Sequence, residues 1–189
     1  MHVVAVLALE GVVAFDLAIP CQVFAAARGP DGSPAYEVRV CGGRPVAASA
    51  FEQQLFRITP GRGLDDVLGA DTLVVPGIAP DQVPSPRILR LIRDTAARGV
   101  RVASICTGAF VLAAAGLLDG RRATTHWQLA EELAEAYPDV TVDPSVLFVD
   151  DGQILTSAGI AAGLDLCLHM VRNDHGAAVA AETARAIVM

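Results

Sequence analysis

Three residues carry the chemistry this chain could do: Cys106, Asp16 and His126. Cys106 closes a β-branched run over residues 100–105 and is followed by Thr107, Gly108 and an apolar segment over 109–118 that is long enough for a helix. A cysteine at such a strand-to-helix turn projects from the strand end. The first free N–H groups of the helix point toward it, and their partial positive charge favours a thiolate. Small residues after the turn let a reacting group approach the backbone, as in a nucleophile elbow. The competing reading is a cysteine packed as a small hydrophobe. Asp16 opens a helical pattern and reads either as a carboxylate at a strand end or as an N-cap. His126 follows the cysteine's helix by a short connection and could fold back over the same crevice.

The elements that must position these groups alternate along the chain. Residues 2–9 form a continuous apolar run, as expected of a central strand covered on both faces. A helix starts near Asp16, with Pro20 tolerable in its first turn or at a kink. Residues 36–41 alternate like a strand near the sheet edge, 42–63 read as irregular with at most one hairpin, and 71–76 are a buried strand stopped by Pro76-Gly77. Residues 85–98 are an amphipathic helix with Pro86 at its first position. After the cysteine's helix come a helix over 128–136 and short strands over 140–142, 146–149 and 154–156, the last two joined by a turn at 150–153. Helices over 160–172 and 177–188 close the pattern. Strands alternating with helices predict an α/β fold of the flavodoxin-like kind, a three-layer sandwich with a mostly parallel central sheet.

Composition narrows the function. With 189 residues, 53% hydrophobic and 19% charged, the chain can bury a substantial core as one domain. A formal charge of −7 argues against nucleic-acid binding by this segment, because phosphate contacts need clustered Lys and Arg. The four cysteines form no C-x-x-C pair and no metal spacing, so neither a metal nor a cofactor is expected, and a reducing cytoplasm is the natural compartment. Cys21, Cys41 and Cys167 sit in apolar patterns and read as structural, while His169 and His175 read as surface or turn residues. No apolar stretch is long enough to span a bilayer, and no helix has a basic face for membrane attachment. The apolar end at residues 186–189 suggests a piece of a longer chain.

In such sheets ligands collect beyond the carboxyl ends of the strands. Those ends supply the Asp16 carboxylate, backbone N–H groups at Gly77 and Ile78, the thiol of Cys106 with Thr107 beside it, and a small polar rim at Ser157 and Gly159. In a catalytic reading Cys106 is a nucleophile, His126 or Asp16 handles its proton, and N–H groups near Gly77, Ile78 and Thr107 hold an oxyanion. In a binding reading the same groups line a ligand pocket. Spacing alone does not separate the two.

The ordered set F-D-L-A-I-P-C-Q-V-F at 15–24, V-V-P-G at 74–77, V-A-S-I-C-T-G-A-F through T-T-H-W at 102–127, and V-D-D-G-Q-I-L-T-S-A-G-I at 149–160 resembles the DJ-1/PfpI superfamily of glutamine amidotransferase-like domains. More narrowly it resembles the branch that forms the N-terminal domain of AraC-type transcriptional regulators. The resemblance implies that Cys106 is the elbow cysteine, that Asp16 lies against its sulfur and stays protonated while the thiol ionises, that Gly77 and Ile78 form the oxyanion-side loop, and that His126 neighbours the pocket. It implies a homodimer that senses a small molecule and reaches DNA only through a helix-turn-helix segment absent from this chain. Departures matter as well. Thr107 stands where protease-like members carry His, Ser104 where amidotransferases carry Gly, and no His-x-Glu pair follows. Isocyanide hydratase-like members share the Asp, the C-T-G elbow and T-T-H-W, so a cysteine-dependent hydratase is the alternative. Trp127 either walls the pocket or packs between subunits.

Overall fold

The computed structural model describes residues 1–50, 53–79 and 82–188. Its main sheet contains β1 (His2–Leu7), β3 (Tyr36–Cys41), β6 (Thr72–Val75), β7 (Arg101–Ile105) and β11 (Ile154–Ser157), all parallel, with β10 (Phe148–Asp151) antiparallel on the β11 edge. The order β10-β11-β7-β6-β1-β3 makes the parallel strands a 2-1-3-4-5 arrangement, the flavodoxin-like order. The apolar run of β1 is explained by its place between β3 and β6. Val4 and Val6 pack on one face with α1 (Ala14–Ala26) and α5 (Ala161–His175), where Phe24, Leu166 and Met170 are fully buried. Ala5 and Leu7 pack on the other with α2 (Pro86–Ala97) and α3 (Gly108–Ala114), around Leu73, Ile92 and Leu112. This is a three-layer α/β sandwich. Helices α4 (Ala130–Ala136) and α6 (Ala177–Ala186) complete the two outer layers.

The N-terminal ends of four strands are tied together by side chains. Arg101 donates two hydrogen bonds to the Asp174 carboxylate at 2.8 and 2.7 Å and one to Thr72 Oγ1 at 3.0 Å. The Tyr36 hydroxyl donates to the same carboxylate at 2.8 Å, and His2 Nε2 lies 2.8 Å from Thr72 Oγ1. The network joins the first residues of β1, β3, β6 and β7 to the last turn of α5.

Several expectations change. Asp16 is no N-cap: Val13 holds that position, without a side-chain bond, and Asp16 lies in the first turn of α1. Pro20 sits beyond that first turn, so the Asp16 carbonyl has no helical N–H to accept. The stretch 42–63 is more regular than its Gly and Pro content suggests. Strands β4 (Val46–Ala50) and β5 (Gln53–Ile58) pair antiparallel and join β2 (Val12–Val13) in a small second sheet; residues 51 and 52 lie outside the described residues. The strand expected over 140–142 is β9 (Thr141–Val142), which pairs with β8 (Arg122–Ala123) rather than with the main sheet. The strand expected over 146–149 is shifted two residues later, as β10, and the cysteine's helix ends early, before Gly116 at φ +73°. No helix among the described residues is long and apolar enough to cross a membrane.

Candidate functional site

Strand β7 delivers Cys106 to the carboxyl edge of the sheet with φ +56°, a left-handed conformation that a non-glycine residue holds only when its surroundings enforce it. Its N–H donates to the Ser157 carbonyl at 3.0 Å, and its own carbonyl accepts the Thr125 hydroxyl at 2.9 Å. Two glycines make room. A Cβ on Gly108 would collide with the carbonyl oxygen of Val75, so glycine lets α3 start hard against β6. Gly159, at φ +90°, covers the cysteine so closely that a Cβ there would lie 2.8 Å from Sγ.

Asp16 is wholly buried. Its Oδ1 accepts the N–H of Ile160 at 3.1 Å, and Ile160 takes φ +49° to make that bond, a strained conformation for a β-branched residue. Oδ2 has no partner at ordinary hydrogen-bond geometry and is turned toward Gly77 and the thiol; a Cβ on Gly77 would come within 2.5 Å of it. Burial raises the Asp16 pKa to about 6, against weaker help to the carboxylate from the Ile160 N–H and the Cys106 thiol. Burial first, and then the negative charge of Asp16, push the Cys106 thiol up to about 12. Both groups are thus pushed toward their protonated forms, and ionisation of either opposes ionisation of the other. Burial and the carboxylate outweigh the seven-residue helix behind the elbow, so the thiolate expected from the turn geometry is not the resting form.

The remaining expected site residues divide. The Thr107 hydroxyl accepts the Ile78 N–H at 3.0 Å and donates to the Ile78 carbonyl at 2.8 Å, strapping that loop to the elbow. The Ile78 N–H expected to hold an oxyanion is thus already engaged. Thr107 and Ile78 also border a cavity of about 190 Å³ with Phe110 and Tyr137; Cys106, 6% exposed, does not line it. Ser157 contributes its carbonyl to the elbow, while its buried hydroxyl reaches back to Ser104 O at 3.5 Å and forms no rim. Among the described residues no hydrogen bond joins His126 to Cys106 or Asp16. Its ring stacks on Trp127, centroids 6.1 Å apart, and Trp127 is 68% exposed. The sequence reading missed Ile160 and Thr125. The T-T-H-W motif marks Thr125, but nothing in S-A-G-I announces an isoleucine at positive φ.

A buried thiol on a strained strand-to-helix turn, with a buried carboxylate against it and a flavodoxin-like sheet behind it, defines a class of α/β domains built around one cysteine. The DJ-1/PfpI family pattern matches residues 2–173, and the chain belongs to that family. It is 36% identical over 155 residues to the HTH-type transcriptional regulator CdhR of Pseudomonas aeruginosa, covering 82% of this chain and 45% of that protein. It is 37% identical over 131 residues to the isonitrile hydratase of Pseudomonas putida, covering 68% of this chain and 54% of the enzyme. The chain thus spans about half the length of these curated relatives. Among solved structures, an AraC family transcriptional regulator from Pseudomonas putida superposes with TM-score 0.85 over the whole of both chains at 22% identity, a likeness of fold.

Proposed function

We propose that this chain is the ligand-sensing and dimerisation domain of an AraC-type transcriptional regulator, with a small molecule recognised at the pocket around Cys106, Thr107, Ile78, Gly77, Gly159 and His126. The observation that supports this reading is that the Ile78 N–H, one of the donors a catalytic site would need, is already held by the Thr107 hydroxyl. The protonated resting thiol supports it too. Similarity to a regulator across 82% of the chain gives the class. The protein works as a homodimer in the cytoplasm, and the exposed Phe15, Trp127, Leu147 and Ile160 near the site are candidates for subunit contact. DNA contact belongs to a helix-turn-helix domain outside residues 1–189, consistent with the −7 charge. Reading the gene past the codon for Met189 tests this: two helices with a basic recognition helix are expected, and an immediate stop codon would overturn the proposal.

A second reading is favoured by the identity to isonitrile hydratase and by the facing acid and thiol. Here the Cys106 sulfur attacks the terminal carbon of an isocyanide and the thiol proton passes by way of Asp16 to that same carbon, giving a thioimidate on Cys106. Water then adds to the thioimidate carbon, giving one proton to nitrogen and one to the departing sulfur, and leaves an N-substituted formamide and the free thiol. Turnover abolished in Cys106→Ser supports this enzyme; turnover absent in the unaltered protein, or unchanged in the variant, removes it.

A further inference from the structure

The 2-1-3-4-5 strand order has a topological switch point between β1 and β6, where connections leave to opposite faces of the sheet and open a crevice at the carboxyl ends. A cavity of about 390 Å³ lies there, in the size range of small-molecule sites. Leu9 and Glu10 follow β1 on one side, Ile78 follows β6 on the other, and neither Cys106 nor Asp16 lines it. Leu9, Leu64, Ile78 and Ile88 supply apolar wall; Arg44, Arg87 and Glu10 supply the charge.

The charges are not balanced. Glu10 is engaged on both oxygens, with Oε1 accepting the Ala47 N–H at 3.1 Å and Oε2 lying 3.5 Å from Arg44. Arg87 makes no ion pair or hydrogen bond among the described residues, so one guanidinium on the cavity wall is left without an anion. The twelve-residue α2 begins at the same wall. Its N-cap Ser85 makes no capping bond and its first turn holds no acidic residue, so the positive end of the helix adds to the field of Arg87. An acidic protein that places an arginine with no ion pair among the described residues and an uncompensated helix start on a cavity with an apolar wall at Leu9, Leu64, Ile78 and Ile88 has a site for a small organic anion.

We infer that this switch-point cavity is a second ligand site, separate from the Cys106–Asp16 pair, that takes a short-chain organic acid or phosphate monoester with its charged end at Arg87 and its apolar end on Leu9, Leu64 and Ile78. The Thr107 strap on Ile78 gives the site a physical connection to the elbow.

The probe is hexanoate, titrated into the 189-residue protein and followed by amide chemical shifts, with hexyl phosphate as the second anion and hexanamide and hexylammonium as controls. Saturable binding is expected for hexanoate, hexyl phosphate or both, with shifts centred on residues 82–89, and which one binds more tightly separates carboxylate from phosphate recognition. Arg87→Gln should weaken it by about tenfold, the worth of one charge-assisted hydrogen bond, and Arg87→Lys should restore most of it. Cys106→Ala should leave it unchanged. No saturation by either anion, equal binding of hexanamide, unchanged affinity in Arg87→Gln, or shifts that vanish with Cys106→Ala would each overturn the inference. Arg87 is exposed on α2, so its variants test binding without threatening the fold.

Discussion

Asp16 and Cys106 are two acids that burial penalises, and they share a proton instead of finding a cation. The sign of the pH dependence follows. The folded-state pKa of Asp16, about 6, lies above its unfolded value of 3.8, so the folded protein binds the proton more tightly. Its contribution to stability is complete below pH 4 and is lost as pH rises through 6, by about 3 kcal/mol. Chemical denaturation of wild type and Asp16→Asn at pH 4 and pH 7 should therefore show the wild type losing about that much relative to the variant. Parallel pH profiles would show that the carboxylate is not buried as described. The same substitution removes the charge beside the sulfur. Alkylation of Cys106 by iodoacetamide at pH 8, read on the Cys106 peptide by mass spectrometry, should speed up by about tenfold per unit of thiol pKa released. An unchanged rate would mean that Asp16 does not hold the thiol protonated.

The elbow depends on α3 starting against the end of β6. Gly108 is the point of contact, because a side chain there meets a backbone carbonyl that cannot step aside. Gly108→Ala should destabilise the protein by about 3 kcal/mol in urea denaturation and displace Cys106; a loss below about 0.5 kcal/mol would show that the helix can back away. The sequence carried much of this arrangement. The apolar β1, the strand ending at Cys106, the Pro76-Gly77 stop and Pro86 at the start of α2 are local signals, and they fell where the chain uses them. The β4–β5 pair was less legible, since β5 is exposed along nearly its whole length and has no buried face to impose alternation. The site was legible as a set of residues and not as a state of charge. Which donors are already engaged, and on which atom the proton rests, depend on contacts such as that between Ile160 and Asp16, 144 positions apart.

The carboxyl ends of the strands hold the site and the opposite ends hold the network around Asp174. Burial opposes its charge, but Arg101 and Tyr36 outweigh that and keep its pKa below the usual carboxylate range. Stability from this group is present above the unfolded pKa and lost on acidification. Asp174→Asn should cost about 2 kcal/mol at pH 7, with the difference from wild type shrinking toward pH 3; a constant difference would assign the loss to packing instead. The place of β1 between β3 and β6 also sets an order of assembly. When the ribosome has released only the first strands, β1 can pair with β3, but its other edge stays open until β6 is made, some seventy residues after β1 itself. The Asp16 carboxylate waits longer, for the Ile160 N–H beyond β11. A nascent or nicked chain can thus own most of its sheet and still lack the buried acid's partner, so the Asp16 carboxylate is among the last groups in the molecule to find its native hydrogen bond.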